Sequence, residues 1–173
     1  MKNNTTWTLD NTHSEIAFKV KHMMISTVTG HFEDFEASAK TDGENFEDAH
    51  FEFAAKTASI NTKNKDRDTH LKSDDFFNSE EYPEMKFVSK SFKDDKIVGD
   101  LTIRDVTKEV TLDAELNGIA VDPYGQTKAG FEIRGEVNRK DFNLTWNAVT
   151  EAGSIVVSDK VKLVIDVQFT KQA

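Results

Sequence analysis

Read two residues at a time, most of this chain swings between apolar and polar. From Val161 the odd positions are Val161, Leu163, Ile165, Val167 and Phe169, and between them stand Lys162, Val164, Asp166 and Gln168. Successive side chains of a strand point to opposite faces, so this segment reads as a strand with one dry and one largely wet face. The pattern recurs along nearly the whole sequence. Strands of about nine to eleven residues exceed the average of about 5–6, which favours a closed antiparallel barrel over a two-sheet sandwich.

The other strands are read the same way. Ile16, Phe18 and Val20 form one apolar row. Gly30 and Phe32 begin another, which continues as Phe35, Ala37 and Ala39 after a change from even to odd positions. One extra residue at Glu33-Asp34 produces such a slip, so a β-bulge is expected there. Further rows are Ala49, Phe51, Phe53, Ala55, Thr57; Met85, Phe87; Ile97, Gly99, Leu101, Ile103; Val110, Leu112, Ala114, Leu116; and Ala129, Phe131, Ile133, Gly135, Val137. Turns are expected at Asp42–Asn45, at Asp94-Asp95 and at Asp122-Pro123-Tyr124-Gly125. Strand glycines at positions 30, 99, 130 and 135 fit the sharp bends of a barrel.

The two-residue period disappears between Asn64 and Tyr82. Asp66 and Ser73 are candidate N-caps, and acids crowd the first turns, so one or two short helices are expected before Pro83. The expected architecture is all-β: an eight-stranded antiparallel barrel with a short helical insertion around residues 64–82, as one domain over 1–173.

Composition removes several function classes. With 22 basic against 31 acidic residues the net charge is −9, which argues against a nucleic-acid binder and, weakly, against docking on anionic lipid by overall charge. No cysteine is present, so there is neither a disulfide framework nor a thiolate metal site. The longest apolar run is three residues, as in Ile155-Val156-Val157, far below the roughly 20 of a spanning helix. The first residues show no apolar stretch of a signal peptide. That reading expects a cytoplasmic protein, or a periplasmic one if a leader has been removed from the mature chain.

Five histidines (His13, His22, His31, His50, His70) show no tight ligand spacing, and no metal is expected. Ser14 beside His13 is adjacency rather than a triad, and no serine elbow or glycine-rich phosphate loop occurs. No catalytic residue is assigned. In Arg67-Asp68-x-His70-Leu71 the plain reading is that Arg67 and Asp68 pair and cap the helix, tying it to the barrel. The sharper one sets a polar group at a barrel mouth. Arg139-Lys140-Asp141-Phe142 carries the same two readings.

Thirteen phenylalanines stand against two tyrosines. Phe18, Phe32, Phe51, Phe53, Phe87, Phe131 and Phe169 all fall on dry faces, where they either fill a core or line an apolar pocket. The pattern alone leaves core against cavity open.

The ordered set Trp7-x-Leu9-Asp10-x-x-His13-Ser14-x-Ile16-x-Phe18-x-Val20-x-His22, Gly30-x-Phe32, Ser59-Ile60-Asn61-Thr62, Arg67-Asp68-x-His70-Leu71, Asp75-Phe76-Phe77, Tyr82-Pro83-x-Met85-x-Phe87, Gly99-x-Leu101-Thr102-Ile103, Val106-Thr107-Lys108, Arg139-x-Asp141-Phe142-x-Leu144 and Asp159-x-Val161 resembles the YceI-like family. The resemblance runs from Trp7 to about Phe169. It departs at Asp105 and Asn143, where the family usually or often has glycine; both residues tolerate left-handed geometry.

The resemblance implies a lipocalin-like barrel with a long apolar tunnel that holds a polyisoprenoid or other long-chain amphiphile, and it carries over no catalytic residue. The expected function is non-enzymatic binding, transport or storage of such a lipid, with no cofactor other than the lipid itself. A homodimer is compatible with the sequence. The expected lining, taken from inward phase, is Ile16, Phe18, Val20, Phe32, Phe35, Phe51, Phe53, Phe87, Leu101, Ile103, Leu112, Phe131, Ile133, Leu163 and Ile165. A polar mouth would use His22, Arg67, His70 and Arg139. The alternatives are a stress-related or interaction protein with a filled barrel, and an enzyme acting on a lipid or quinone through His22, Arg67 or Asp68.

Overall fold

A computed structural model describes residues 4–146 and 157–172. Its strands are β1 (Asn4–Leu9), β2 (Glu15–His22), β3 (Ser26–Phe32), β4 (Phe35–Asp42), β5 (Asn45–Lys56), β6 (Ile60–Asn61), β7 (Glu84–Lys93), β8 (Lys96–Ile103), β9 (Val106–Val121), β10 (Thr127–Asn138) and β11 (Val157–Lys171), with one α-helix, α1 (Lys65–Lys72). The order β1-β4-β5-β7-β8-β9-β10-β11 closes through β1–β11, and every pair is antiparallel. This is the closed eight-stranded barrel expected from the alternation.

β2 and β3 prolong β1 and β4 past two breaks. β11 pairs β1 through Phe169–Lys171 and β2 through Val157–Asp166, so β1 and β2 act as one strand bent at residues 10–14. The second break lies at Glu33-Asp34, where the phase slip predicts it. Two features were not legible. β1 lies upstream of the first strand signal, and a second slip, between buried Phe46 and Ala49, passes through Asp48 at φ 61°.

The alternation sets the register. In β10, Phe131 and Ile133 are buried and Glu132 between them is exposed; opposite them Val167 is buried and Ile165 half-buried. Gly30 and Gly135 are among the glycines that close approach requires. A Cβ at Gly30 would strike the Phe18 ring, and one at Gly135 would strike the Leu112 side chain. Their absence lets both side chains lie against the barrel wall.

The caps differ from those expected. Asn64, not Asp66, caps α1, its side chain accepting from the Arg67 N–H at 3.0 Å. Ser73 ends α1 instead of starting a second helix, because Asp74–Tyr82 is a run of turns. Asn143 is left-handed, at φ 62°, as its departure from glycine requires. At the β8–β9 turn the left-handed residue is Arg104, at φ 55°, and not Asp105.

The barrel interior is divided along its axis. At one end Trp7, Phe46, Phe51, Phe92, Phe131 and Phe169 pack into one ring cluster, with centroids from 4.8 Å (Trp7–Phe46) to 6.4 Å (Phe46–Phe51). The Trp7 indole N–H donates to Thr41 Oγ1 at 2.7 Å, whose hydroxyl donates to the Gly43 carbonyl at 2.6 Å. A buried indole therefore has its partner, and this half is solid.

A carbon-lined cavity at the helical end

The other half holds a cavity of about 170 Å³. Its wall is built by the inward rows of seven strands: Ile16, Phe18 and Val20 of β2; Phe53 and Ala55 of β5; Met85 and Phe87 of β7; Leu101 and Ile103 of β8; Val110 and Leu112 of β9; Ile133 and Val137 of β10; and Val157, Val161, Leu163 and Ile165 of β11. Phe32 of β3 joins them. Leu71 of α1, with Phe76 and Phe77 from the turns after it, lines the helical end. Many of these inward side chains, among them Ile16, Phe18, Val20, Phe53, Leu163 and Ile165, are only half-buried. They face the cavity rather than a close-packed core, whereas Phe51 and Phe131 in the solid half are 0% and 1% exposed.

Twelve of the fifteen expected lining residues reach this wall: Ile16, Phe18, Val20, Phe32, Phe53, Phe87, Leu101, Ile103, Leu112, Ile133, Leu163 and Ile165. Phe51 and Phe131 do not, since both belong to the ring cluster of the solid half. Phe35 does not either; it is buried beyond the Glu33-Asp34 break, among residues that include Phe76 and Phe77. Inward phase gives a side chain's direction but not its height along the barrel, and these three differ in height or angle. For the same reason the long tunnel that the resemblance implies is here a cavity confined to one half. Val110, Val137 and Val161 share the inward phase and extend the set. Leu71, Phe76 and Phe77 lie where no period exists to read.

The four residues expected at a polar mouth scatter. His22 is exposed at the end of β2. Arg67 donates through Nε to Thr62 Oγ1 at 2.8 Å and through Nη2 to the Thr62 carbonyl at 2.7 Å. Asp68 accepts from the Thr62 N–H at 2.9 Å and from its hydroxyl at 2.6 Å. Arg67 and Asp68 therefore clamp Thr62 from α1, tying the insertion to the chain just after β6, rather than pairing and capping the helix. His70 Nε2 lies 2.8 Å from Asp75 Oδ2, and its ring stands edge-on to Trp146 and Phe76, at 4.6 and 5.2 Å.

Only Arg139 of the four lines the cavity, and it is 4% exposed. Its Nε donates to the Ser158 carbonyl at 2.9 Å, Nη1 to those of Leu144 and Trp146 at 2.6 and 2.7 Å, and Nη2 to that of Val157 at 3.2 Å. Burial pulls its pKa below the usual arginine range, and the Asp159 carboxylate, 3.9 Å away, opposes that. Its donors are spent on backbone, so Arg139 pins residues 144–146 to the start of β11 and is not free for a head group.

A second polar cluster lies outside the barrel. Asp10 accepts from Thr12 (Oγ1 at 2.7 Å) and Lys128 (Nζ at 3.0 Å) and lies 2.8 Å from His13 Nδ1. Burial pushes the Asp10 carboxyl up, but the hydrogen bonds from Thr12, Lys128 and His13 outweigh it and hold the group far below the usual carboxylate range. The cluster locks the bend between β1 and β2. Among the described residues no three His, Asp or Glu side chains gather as a metal site, and no helix is long and apolar enough to cross a membrane.

The YceI-like domain matches residues 7–169. The chain belongs to the YceI-like family. It is 37% identical over 167 residues to UPF0312 protein SAS2572 of Staphylococcus aureus, covering 96% of this chain and 98% of that one. Among solved structures, the Campylobacter jejuni YCEI protein is 36% identical with a TM-score of 0.76, over 88% of this chain and 90% of that one. Two more distant structures share the fold alone. Burkholderia cenocepacia BcnA is 21% identical with a TM-score of 0.78, over 92% of this chain and 98% of its own. A polyisoprenoid binding domain from Saccharophagus degradans, implicated in plant cell wall breakdown, is 14% identical with a TM-score of 0.72, over 96% and 98%. For this YceI-like chain, the barrel is the fold of the family's solved structures.

Proposed function

We propose that this protein is a non-enzymatic carrier or store for an isoprenoid or similar long-chain amphiphile, seated tail-first in the cavity at the helical end. The observation that carries this reading is the row of inward apolar side chains left half-buried around an unfilled, carbon-lined space. Burying one methylene is worth about 0.8 kcal/mol, so a tail binds there by area and shape without a polar constellation. The fold shared with a domain named for polyisoprenoid binding agrees with the reading.

The cavity size bounds what fits. An apolar cavity of about 150 Å³ stays dry and takes a guest the size of benzene. The space of about 170 Å³ therefore takes the end of a chain. A longer tail needs the Leu71–Phe76–Phe77 cap to shift, or leaves its remainder outside. The residues proposed as ligand contacts are the twelve expected ones on the wall together with Leu71, Phe76, Phe77, Val110, Val137 and Val161.

Thermal unfolding with isoprenoid alcohols of increasing chain length tests this. The midpoint is expected to rise with length and then level off once the cavity is full. No shift at any length, or one unrelated to length, overturns the reading. The filled-barrel alternative fits only the Trp7–Phe169 half, and no observation favours the enzyme alternative.

A further inference from the structure

The β2–β3 hairpin carries two costs that neither the barrel nor the cavity explains. Its tip is Met23-Met24-Ile25, between the paired residues His22 and Ser26, and the Ile25 N–H donates to the His22 carbonyl at 3.2 Å. Met23 and Met24 have φ of 53° and 59°. Positive φ at both central residues marks a type I′ turn, whose usual occupants are Asn-Gly, Asp-Gly or Gly-Gly. A side chain with an ordinary Cβ is strained there. The same pair of φ values, 53° and 59°, recurs at the β7–β8 turn, but with Asp94 and Asp95, a type that tolerates it. The second cost is exposure: Met24 is 63% and Ile25 82% accessible. Strain held at an exposed apolar tip points to a use for the tip.

The charge around this tip runs against that of the whole molecule. The chain has a net charge of −9, yet no acid stands between Glu15 and Glu33, while Lys19, Lys21 and His22 do. Lys21 Nζ donates to the neutral Thr27 hydroxyl at 3.0 Å. Lys19 faces another cation, Lys162, across the β2–β11 pair. The nearby ion pairs belong to His31 on Glu15, to Arg139 and Lys140 on Asp159, and to Lys160 on Glu136; among the described residues Lys19 and Lys21 join none. The tip also continues the cavity wall, since Val20 and Val157 line the cavity and His22 pairs with Val157.

We propose that the β2–β3 tip docks on an anionic phospholipid bilayer. Met24 and Ile25 enter the boundary between head groups and acyl chains, and Lys19 and Lys21 sit at the phosphates, so the cavity end is held against the membrane. Apolar side chains flanked by basic ones are the composition that binds at this interface. Docking does not depend on what the cavity holds; only delivery of a tail between bilayer and cavity rests on the proposed function.

The test is flotation of the full chain with vesicles of phosphatidylcholine and phosphatidylglycerol in equal parts, and with phosphatidylcholine alone, across a salt series. The wild type is expected to float with the mixed vesicles, less so as salt rises. Met23→Asn/Met24→Gly supplies the residues the turn prefers, so it is expected to raise the unfolding midpoint while lowering the vesicle partition about tenfold. Its loss of binding cannot come from unfolding. Lys19→Gln/Lys21→Gln is expected to lower the partition about fivefold per lysine and to flatten its salt dependence.

Failure of the wild type to float, equal flotation on phosphatidylcholine alone, or unchanged flotation of the Asn-Gly variant each overturns the proposal. So does a solution dimer that the Asn-Gly variant dissolves while no vesicle binding occurs. Lost flotation with isoprenoid uptake retained sinks docking alone, and lost uptake with flotation retained sinks the cavity reading alone.

Discussion

Replacing the same side chain in the two halves of the barrel should give opposite results. Phe131 is 1% exposed and stands 5.0 Å from Phe46, 5.5 Å from Phe51 and 6.1 Å from both Phe92 and Phe169, centroid to centroid. Phe131→Ala opens a void in a solid cluster, which costs about 3–5 kcal/mol. Phe18 is half-buried, faces the cavity and has Phe32 as its ring neighbour at 5.7 Å. Phe18→Ala gives up roughly half of a full burial of about 1.5–3 kcal/mol, plus about 0.5 kcal/mol for the ring pair. The void it leaves joins one that already exists.

The gap between the two variants is therefore about 2 kcal/mol, or roughly 4–8 °C in Tm. Urea and thermal unfolding followed by circular dichroism read it. Isoprenoid binding should order them the other way. Phe18→Ala removes a ligand contact and should weaken affinity about tenfold, or about 1.4 kcal/mol, while Phe131→Ala should not weaken it. Equal stability losses, or a larger loss at Phe18, would refute the division of the barrel into a solid and a hollow half.

Other predictions rest on single contacts. Arg139→Met strands four backbone carbonyls and should cost at least about 3 kcal/mol by urea unfolding; Arg139→Lys should recover only part, because an ammonium cannot reproduce the guanidinium fork. The lowered pKa of Asp10 contributes stability above the unfolded value of about 3.9, and this is lost as pH falls through the folded value. Asp10→Asn should thus destabilise by about 1–3 kcal/mol at neutral pH, and its urea midpoint should approach that of the wild type below about pH 4; parallel pH profiles would contradict this. Phe131→Asp should abolish folding by burying an unpaired charge. Glu132→Lys next door, exposed and opposite Asp166 and Glu115, should stay within about 0.5 kcal/mol of wild type or gain slightly.

The alternation made the barrel legible because each strand has one wet face: Glu132 between Phe131 and Ile133 fixes the phase of β10. The Glu33-Asp34 break was legible because apolar rows on both sides record the slip. The slip at Asp48 was not, since it turns on one residue's φ of 61° and leaves a single apolar residue, Phe46, before it. β1 was hidden because Trp7 and Leu9 are its only apolar residues among four polar ones.

The site was half legible. Direction follows from phase, so twelve wall residues came from sequence, but core and cavity share one phase. What separates Phe131 from Ile133 is height along the barrel and how many rings meet there, which is a property of the assembled interior. The cap of Leu71, Phe76 and Phe77 lay in aperiodic chain, and Arg139 could not be told from a head-group ligand until its donors were seen to end on carbonyls.

Native mass spectrometry of gently purified protein shows whether the cavity carries a lipid. A tail seated in the cavity gives mass above that of the bare chain, carried by an apolar adduct that organic extraction removes and added isoprenoid restores. A bare mass together with no uptake of any long-chain isoprenoid would contradict it.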